Sequence, residues 1–215
     1  MIKDIYILGS GGFAKEVAFL LESQNKYKRI WNIVGYVDKP DLLGTNNGKY
    51  YVTTTENELI ELKREINIAI GIGKPTIVKR IIEMLKQNNF IKFPNIIHSS
   101  VIADWNAIKI GEGNIITANN VFTTDISIGS FNIFNLSCTL GHDSTIGNFN
   151  VFNPTVNLSG GLKIGDANLI GTGAQVLQYL EIGNNITLGA GSVATKSLIE
   201  EGIYVGIPAK PKVSK

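Results

Sequence analysis

The stretch SIGSFNIFNLSCTLGHDSTIGNFNVF, residues 127–152, has a large apolar residue at every sixth position. The spacing extends over fourteen residues, which are Ile110, Ile116, Phe122, Ile128, Phe134, Leu140, Ile146, Phe152, Leu158, Ile164, Ile170, Val176, Ile182 and Leu188. Neither a helix nor a β-sandwich has a period of six, whereas a parallel β-helix does, with one six-residue rung per face and three faces per coil. The pattern therefore predicts a triangular prism with the apolar residue of each rung inside.

This period also predicts which residues are neighbours. Three rungs make one coil, so residues 18 positions apart should stack, as in the pair Asn135 and Asn153 and the pair His142 and Gly160. His142 lies two residues after the inward Leu140, at a corner, so its ring should leave the prism. Small residues mostly follow the inward ones, and we expect them to turn the corners with positive φ, which glycine adopts readily. The glycines at this position are Gly111, Gly129, Gly141, Gly147, Gly165, Gly171, Gly183 and Gly189.

The first ~95 residues alternate between strand and helix patterns instead. Apolar strands are predicted in DIYIL, WNIVGYVD and INIAIGIG. Helices are predicted in GGFAKEVAFLLES, in TENELIELKRE with a cap from Thr55, and in KPTIVKRIIEMLKQNN with Pro75 in its first turn. Such alternation is typical of a parallel sheet. We therefore predict a Rossmann-like α/β domain over residues 1–95 and an all-β parallel β-helix domain with a C-terminal tail over residues 96–215.

Composition gives no electrostatic argument for a nucleic-acid or membrane partner, because the formal net charge of the 215 residues is only +2. No apolar run reaches the ~18 residues of a membrane-spanning helix. The N-terminus places a charge inside its apolar stretch, unlike a signal peptide. Cys138 is the single cysteine and cannot form an internal disulfide, which suits a reducing cytoplasm. We expect a cytoplasmic protein in which Cys138 has a packing role.

A second pattern, GSGGFA at residues 9–14, fits G-x-G-x-x-A between a strand and a helix. Backbone amides and the helix dipole would face an anion there, and Asp38 at the end of the next strand could meet a ribose or a base edge. Alone, the pattern is typical of NAD binding, but ~95 residues are few for a full dinucleotide fold with a substrate domain. A tight turn without a ligand is the other alternative.

The string NLSCTLGHDSTIGNFNVFNPTVNLSGGLKIGD, residues 135–166, resembles the sialic-acid O-acetyltransferases and nucleotide-amino-sugar N-acetyltransferases, which are left-handed β-helix hexapeptide acyltransferases. LIGTGAQV and the terminal YVGIPAKP resemble them too, as do ILGSGGFAKEV, VGYVD and IIHSSVIA, so the resemblance covers nearly the whole chain. It implies a left-handed coil and a homotrimer. It also implies acetyl-CoA as the cosubstrate along the prism, and a nucleotide-linked amino sugar on the N-terminal domain.

The resemblance further implies site residues. His142 matches the general base, Asp143 the acidic residue that orients it, Asn135 a residue of the sugar pocket, and Gly160 a backbone N–H donor to the acetyl carbonyl. The implied nucleotide-sugar site also contains Gly9, Ser10, Gly11, Gly12, Phe13, Asp38, Lys39, Gly71, Ile72 and Gly73. The implied acetyl-CoA site contains Asn153, Gly160, Gly173, Ala190, Lys196, Gly206, Pro208 and Lys210. Phe13 is a departure, because many relatives have a histidine in the G-x-x-G-H-(G/A) pattern there.

The chemistry of acetyl transfer agrees with these residues. A base must take a proton from the nucleophile, and imidazole does so near neutral pH, while Asp143 could fix its tautomer. We expect N-acetylation of a nucleotide-linked amino sugar, a 4-amino-4,6-dideoxyhexose, in surface polysaccharide or glycan synthesis, such as that of lipopolysaccharide or O-antigen. O-acetylation of sialic acid or a related sugar and a non-catalytic scaffold that binds nucleotide sugar are the alternatives. No metal is expected, because His98 and His142 lie in different segments and no Cys/His spacing matches a zinc site.

Overall fold

The computed structural model describes residues 2–212; Met1 and residues 213–215, at the outer ends of the two predicted domains, lie outside the described residues. The N-terminal part is an α/β unit. Its elements are β1 (Lys3–Leu8), α1 (Gly12–Tyr27), β2 (Trp31–Val37), a 3₁₀ turn (Pro40–Leu42), β3 (Asn46–Asn47), β4 (Tyr50–Thr54), α2 (Glu56–Glu61), β5 (Ile66–Ile70), α3 (Pro75–Leu85) and β6 (Ile91–Lys92).

The six strands form one sheet in the order β3-β4-β2-β1-β5-β6. All neighbours pair in parallel except β3 and β4, which form an antiparallel hairpin at the edge. Strand β5 is buried along its whole length, as its apolar density predicts. From β1 the chain adds β2 and β4 on one side of the sheet, and it then adds β5 and β6 on the other side. The direction in which strands are added therefore switches at β1, and open α/β sheets bind ligands at such a switch point.

Helix α2 shows how local sequence sets an element. Thr55 and Glu58 form a reciprocal capping box at its start, as the sequence predicts for Thr55. The helix ends at Glu61, earlier than the pattern of TENELIELKRE predicts. Buried Asn88 explains the difference, because its Nδ2 donates to the carbonyls of Leu59, Ile60 and Leu62 at 2.8–3.0 Å. The last carbonyls of the helix thereby find a partner without a further turn.

The C-terminal part consists of short strands. In chain order they are β7 (Ile96–Ile97), β8 (Ile102–Ala103), β9 (Ile108–Ile110), β10 (Ile115–Ile116), β11 (Val121–Phe122), β12 (Ile126–Ile128), β13 (Ile133–Phe134), β14 (Thr139–Leu140), β15 (Thr145–Ile146), β16 (Val151–Phe152), β17 (Asn157–Leu158), β18 (Lys163–Ile164), β19 (Leu169–Ile170), β20 (Gln175–Val176), β21 (Glu181–Ile182), β22 (Ile186–Leu188), β23 (Val193–Ala194), β24 (Gly202–Val205) and β25 (Lys210–Pro211).

These strands build three sheets that we call the first, second and third faces. The first face contains β7, β10, β13, β16, β19, β22, β24 and β25; the second β8, β11, β14, β17, β20 and β23; the third β9, β12, β15, β18 and β21. Strands 18 residues apart pair in parallel, for example Thr139 with Asn157. Thirteen of the fourteen inward residues are buried, and Ile110 is half-buried. The predicted prism and fold class are confirmed.

The corners differ from the prediction. Positive φ does not occur at the glycine after the inward residue but two residues later, three after the inward one. The non-glycine residues there are Asn119, Asp125, Phe131, Ser137, Asp143, Phe149, Thr155, Ala167, Tyr179 and Asn185. The glycines one residue after the inward position serve close stacking instead: a Cβ on Gly141 would lie 2.5 Å from the backbone nitrogen of Gly160 in the next coil. The prediction of a positive φ at these glycines is therefore wrong.

A buried asparagine ladder runs along the corner between the third and first faces. Asn114, Asn132, Asn150 and Asn168 are fully buried and 18 residues apart. The Oδ1 of each accepts a hydrogen bond from the backbone N–H of the residue one coil later, at 2.7–2.9 Å. Each Nδ2 donates to a glycine carbonyl of the next coil at 2.8–3.0 Å. The ladder fixes the distance between coils.

The α/β unit packs on the outside of the first face. Ile115, Ile133 and Val151 point outward there and are at most 4% exposed, within the same apolar core as α1. Gln24 of α1 donates to the carbonyl of Ile97 at 2.8 Å. The second and third faces are not covered by this packing. The predicted domain boundary after residue 95 stays a prediction. Between residues 2 and 212 no helix combines the length and apolarity needed to cross a membrane.

Candidate functional site

His142 lies at the corner between the second and third faces, which we call the second corner. Its side chain is 52% exposed, so the ring leaves the prism. The Nδ1 atom lies 2.7 Å from Oδ2 of Asp143. Asp143 has a φ of 55°, and this left-handed backbone brings the carboxylate beside the ring of the preceding residue. Because a carboxylate accepts, this contact favours the tautomer of the neutral imidazole in which Nδ1 carries the proton and Nε2 presents its lone pair.

The next coil holds Gly160 directly against this imidazole. A Cβ built on Gly160 would lie 2.7 Å from Nε2 and 2.8 Å from Cε1 of His142. A side chain at position 160 and the ring in its present place therefore exclude one another. The backbone of His142 is also held, because its carbonyl accepts from the N–H of Gly161 at 2.7 Å and from Oγ of buried Ser144 at 3.2 Å. Sequence reasoning missed Ser144, although it directly follows the His-Asp pair.

The backbone N–H of Gly160 differs in its hydrogen bonding from the N–H groups at the equivalent position, two residues after the inward residue, of another corner. Between the third and first faces, the N–H groups of Ser130, Asn148 and Asp166 each donate to a side-chain oxygen one coil later, at 2.6–2.9 Å. Within residues 2–212, the N–H of Gly160 has no hydrogen-bond acceptor. An amide donor beside an imidazole Nε2 is the pair that acyl transfer uses, one for the oxyanion and one for the proton.

Asn135 of the predicted sugar pocket and most other residues of the predicted acetyl-CoA site lie at the first corner, between the first and second faces. Asn135 and Asn153 follow the inward residues of β13 and β16, one coil apart, and Gly173 and Ala190 continue the line in the next coils. Asn135 Oδ1 accepts from the N–H of Leu136 at 2.8 Å. The second face therefore lies between these residues and His142. Lys196, exposed, follows β23 on the side of the second corner.

The C-terminal tail closes the same first corner. The N–H of Gly206 donates to Oγ of Ser192 at 2.9 Å, and the N–H of Ala209 donates to the carbonyl of Val193 at 2.8 Å. Lys210 then pairs with Val205 in the antiparallel hairpin of β24 and β25. Pro208 and the side chain of Lys210 remain exposed. The tail thus lies beside Ala190 and leaves a cationic side chain at the surface.

The glycine loop of the N-terminal unit is tied to Asp38. The carboxylate of Asp38 accepts from the N–H and Oγ of Ser10 at 2.8 and 2.6 Å and from the N–H of Lys39 at 2.9 Å. Gly9 has a φ of +88°, and its position against Ile72 leaves no room for a Cβ. Gly11 is the N-cap of α1 without a side-chain cap, so the first amides of the helix are left for a ligand.

The remaining residues of the predicted nucleotide-sugar site are placed around this loop. A Cβ on Gly71 would lie 2.6 Å from the carbonyl oxygen of Leu8, so this glycine permits close contact between β5 and β1. Gly12 and Gly73 are exposed with open space around them, and half-buried Phe13 packs on the core. Lys39 and Ile72 line a cavity of 490 Å³ together with Asp38.

Cys138 is fully buried, and its Sγ donates to the carbonyl of Asn153 at 3.2 Å. Burial raises the pKa of its thiol to about 11. At pH 8 about 0.1% would be thiolate, the reactive form. We therefore predict that iodoacetamide leaves Cys138 unmodified in the folded protein and alkylates it fully in guanidinium, as measured by mass spectrometry. Equal rates in both states would show that Cys138 is accessible.

No cluster of three or more His, Cys, Asp and Glu side chains that could hold a metal is present among the described residues. The absence of a metal from the reaction stays a prediction. His98 Nδ1 accepts from the N–H of Ser100 at 3.1 Å, inside its own turn.

Comparison with known proteins covers both halves of the chain. Residues 4–85 match the family model of the PglD N-terminal domain, and no curated protein sequence matches. PerB from Caulobacter crescentus, solved with CoA and GDP-perosamine, is 25% identical over 99% of both chains with a TM-score of 0.87. The acetyltransferase domain of PglB from Neisseria gonorrhoeae is 28% identical over 98% of this chain and 100% of that chain, with a TM-score of 0.87.

WeeI from Acinetobacter baumannii is 27% identical, with 98% of this chain and 100% of that chain covered and a TM-score of 0.86. The same PglB domain has also been solved with acetyl coenzyme A. The likeness spans the α/β unit, the β-helix and the tail, and it gives the β-helix its left hand. Over its whole length the chain is therefore similar to these solved structures, and its residues 4–85 match the PglD N-terminal domain.

Proposed function

We propose that the protein is an acetyl-CoA-dependent N-acetyltransferase that acts on a nucleotide-linked amino sugar. The observation that carries this proposal is the second corner, where Nδ1 of His142 lies 2.7 Å from Asp143 and Gly160 packs against the Nε2 side of the ring. Structural neighbours along the whole chain bind CoA, acetyl coenzyme A or GDP-perosamine. Residues of the candidate site match the needs of this reaction one by one.

The proposed chemistry uses His142 as a general base. As the neutral amine nitrogen of the sugar bonds to the thioester carbonyl carbon, Nε2 accepts the proton that the nitrogen loses. The C–S bond then breaks, and the same proton passes to the departing CoA sulfur, so an amide and a thiol are formed. Asp143 keeps the proton on Nδ1 and holds Nε2 ready to accept. The free N–H of Gly160 donates to the oxygen of the tetrahedral intermediate.

Acetyl-CoA is proposed to run along the prism, with Asn153, Gly173, Ala190 and the tail at Gly206 and Pro208 beside it. Lys196 and Lys210 are exposed and would neutralise its phosphates. Asn135 is proposed to contact the sugar. Asn135 and His142 lie at different corners of one chain, so a second copy that supplies one of the two corners would complete the site.

We therefore propose a homotrimer. The second face supports it, because its outward residues carry no charge between residues 2 and 212: they are Ile102, Val121, Thr139, Asn157, Gln175 and Val193. Such a face is suited to burial between subunits, whereas the third face presents Lys109, Lys163 and Glu181. We predict a trimer mass by light scattering at micromolar concentration. A well-folded monomer would contradict both the trimer and a site shared between copies.

The nucleotide sugar is proposed to place its diphosphate on the first amides of α1. We predict that Gly11→Val weakens binding of the nucleotide sugar by about 100-fold, because its side chain fills the space in which phosphate approaches the amides. No protein atom lies within 4 Å of a Cβ at Gly11, and its φ of −79° suits valine, so the fold should be intact. Calorimetry with the nucleotide sugar measures the loss. Acetyl-CoA binding is the internal control. Wild-type affinity of the variant for the nucleotide sugar would show that the diphosphate does not bind at this loop.

The decisive experiment for the function is turnover of acetyl-CoA with nucleotide-linked 4-amino-4,6-dideoxyhexoses, followed by release of the CoA thiol. Amide product confirmed by mass spectrometry would establish the activity. Matched sugars with a hydroxyl in place of the amine, together with free sialic acid, test O-acetylation. Turnover of those alone would replace the proposal, and binding of nucleotide sugar without any turnover would indicate a scaffold. The proposed setting is lipopolysaccharide or O-antigen synthesis in the cytoplasm.

A further inference from the structure

A cavity of 490 Å³ lies beside the glycine loop, at the carboxyl ends of β2 and β5 and against α3. Its walls include the apolar side chains of Ile72, Ile77, Ile81 and Met84. Besides Asp38 and Lys39, the charged residues that line it are Glu56 at the start of α2 and Arg80 of α3. Apolar walls with a few charged groups suit a heterocycle whose edge is hydrogen-bonded.

The carboxylate of Glu56 is free to bind a ligand. Within residues 2–212, neither Glu56 nor Arg80 forms an ion pair, although both line one cavity. Asp38, the other carboxylate of the cavity, already accepts three hydrogen bonds from Ser10 and Lys39. Asp38 therefore orders the loop that meets the phosphates, and Glu56 is the carboxylate available to the base.

A carboxylate and a guanidinium in one cavity would distinguish guanine from uracil and thymine by the hydrogen-bonding groups on their edges. Guanine has two adjacent donors, N1–H and the 2-amino group, which match the two oxygens of a carboxylate. Its O6 and N7 acceptors match a guanidinium. Uracil and thymine present a single N3–H between two carbonyl oxygens, which would face a carboxylate unfavourably. We propose that Glu56 and Arg80 select a guanine nucleotide, so that the substrate is a GDP-linked amino sugar; this rests on the proposed function.

The test is calorimetric binding of GDP, UDP, dTDP and inosine diphosphate to the full-length protein. We expect GDP to bind about 10–100-fold more tightly than UDP and dTDP. Inosine diphosphate lacks only the 2-amino group and should bind about tenfold more weakly than GDP. Glu56→Gln should weaken GDP to the level of inosine diphosphate and leave UDP unchanged. Glu61→Gln, the same substitution at the exposed other end of α2, is the matched control and should behave as wild type.

The outcomes separate this inference from the proposed function. Equal or tighter binding of UDP or dTDP, or an unchanged GDP preference in Glu56→Gln, would overturn guanine selection while a nucleotide-sugar substrate stands. Failure of all four nucleotides to bind would overturn both the guanine site and the N-terminal nucleotide site. The thermal transition checks that Glu56→Gln is folded. If this variant is unfolded, the comparison of GDP with inosine diphosphate in the wild type decides, and equal affinities would overturn guanine selection.

Discussion

Replacing His142 with alanine should lower kcat by about 10²–10⁴-fold, the size of a general-base contribution. The variant loses the only imidazole at the second corner, while Gly160 and its N–H remain. Because proton transfer and cosubstrate binding are separate functions, KM for acetyl-CoA should change little. The side chain is half exposed and adds little to the core, so the thermal transition should stay where it is. Steady-state kinetics with the best sugar substrate measure the effect.

Two further variants separate the roles of the pair. His142→Asn keeps a polar side chain without a basic nitrogen and should be nearly as damaging as alanine. Asp143→Asn should be milder, because the base stays while its tautomer is held less firmly. Full activity of His142→Ala would remove the general-base assignment and leave substrate positioning as the main source of catalysis.

Periodicity could predict the prism because one requirement repeats in every rung. Each inward residue, such as Leu140 or Phe152, must fill the same interior, so the six-residue spacing is visible without any tertiary information. The glycine loop and the βα alternation were predictable in the same way, since strand, turn and helix follow each other locally. The left hand of the coil came from resemblance alone, because spacing carries no chirality.

The corner residues were harder to predict, since two constraints act at neighbouring positions. Glycine at 141 suggested positive φ, but its size is required by the backbone of Gly160 one coil away. Positive φ falls instead on Asp143 and on residues as large as Phe131 and Tyr179, which local propensity disfavours. The coil geometry overrides propensity at these positions, and only the 18-residue stacking explains why.

The asparagine ladder was detectable in principle. Asn114, Asn132, Asn150 and Asn168 recur at the coil spacing, but single asparagines are typical of turns, and only burial shows that they bond between coils. The sequence could not show whether Asp38 or Glu56 is available to a ligand, because this depends on which carboxylate already accepts hydrogen bonds from the glycine loop, and that is Asp38. The sequence therefore indicated where the candidate sites lie, whereas the hydrogen bonds that distinguish their residues required the structure.

Gly160→Ala should lower kcat by about 100-fold, although alanine neither removes the backbone N–H nor occupies a left-handed φ. The three nearest atoms to its Cβ, at 2.7–3.0 Å, all belong to the ring of His142. A half-exposed ring can rotate away, so the fold is preserved while Nε2 leaves its place, and a displacement of about 1 Å is enough for such a loss. Gly202→Ala is the matched control, because its Cβ would meet its nearest atom at 3.7 Å, and it should keep wild-type kinetics.

A double-variant cycle identifies how Gly160 acts. If the lack of a side chain at Gly160 serves only to leave room for the imidazole, Gly160→Ala should not lower kcat further in a His142→Ala background, because the ring that alanine displaces is already absent. If Gly160→Ala instead multiplies the loss of His142→Ala by another factor of about 100, the alanine disturbs the N–H donor or the acetyl group itself. The thermal transition of both variants should match wild type, since the contact that alanine breaks lies at the surface. Wild-type kcat in Gly160→Ala would show that the ring position seen against this glycine is not the one used in proton transfer.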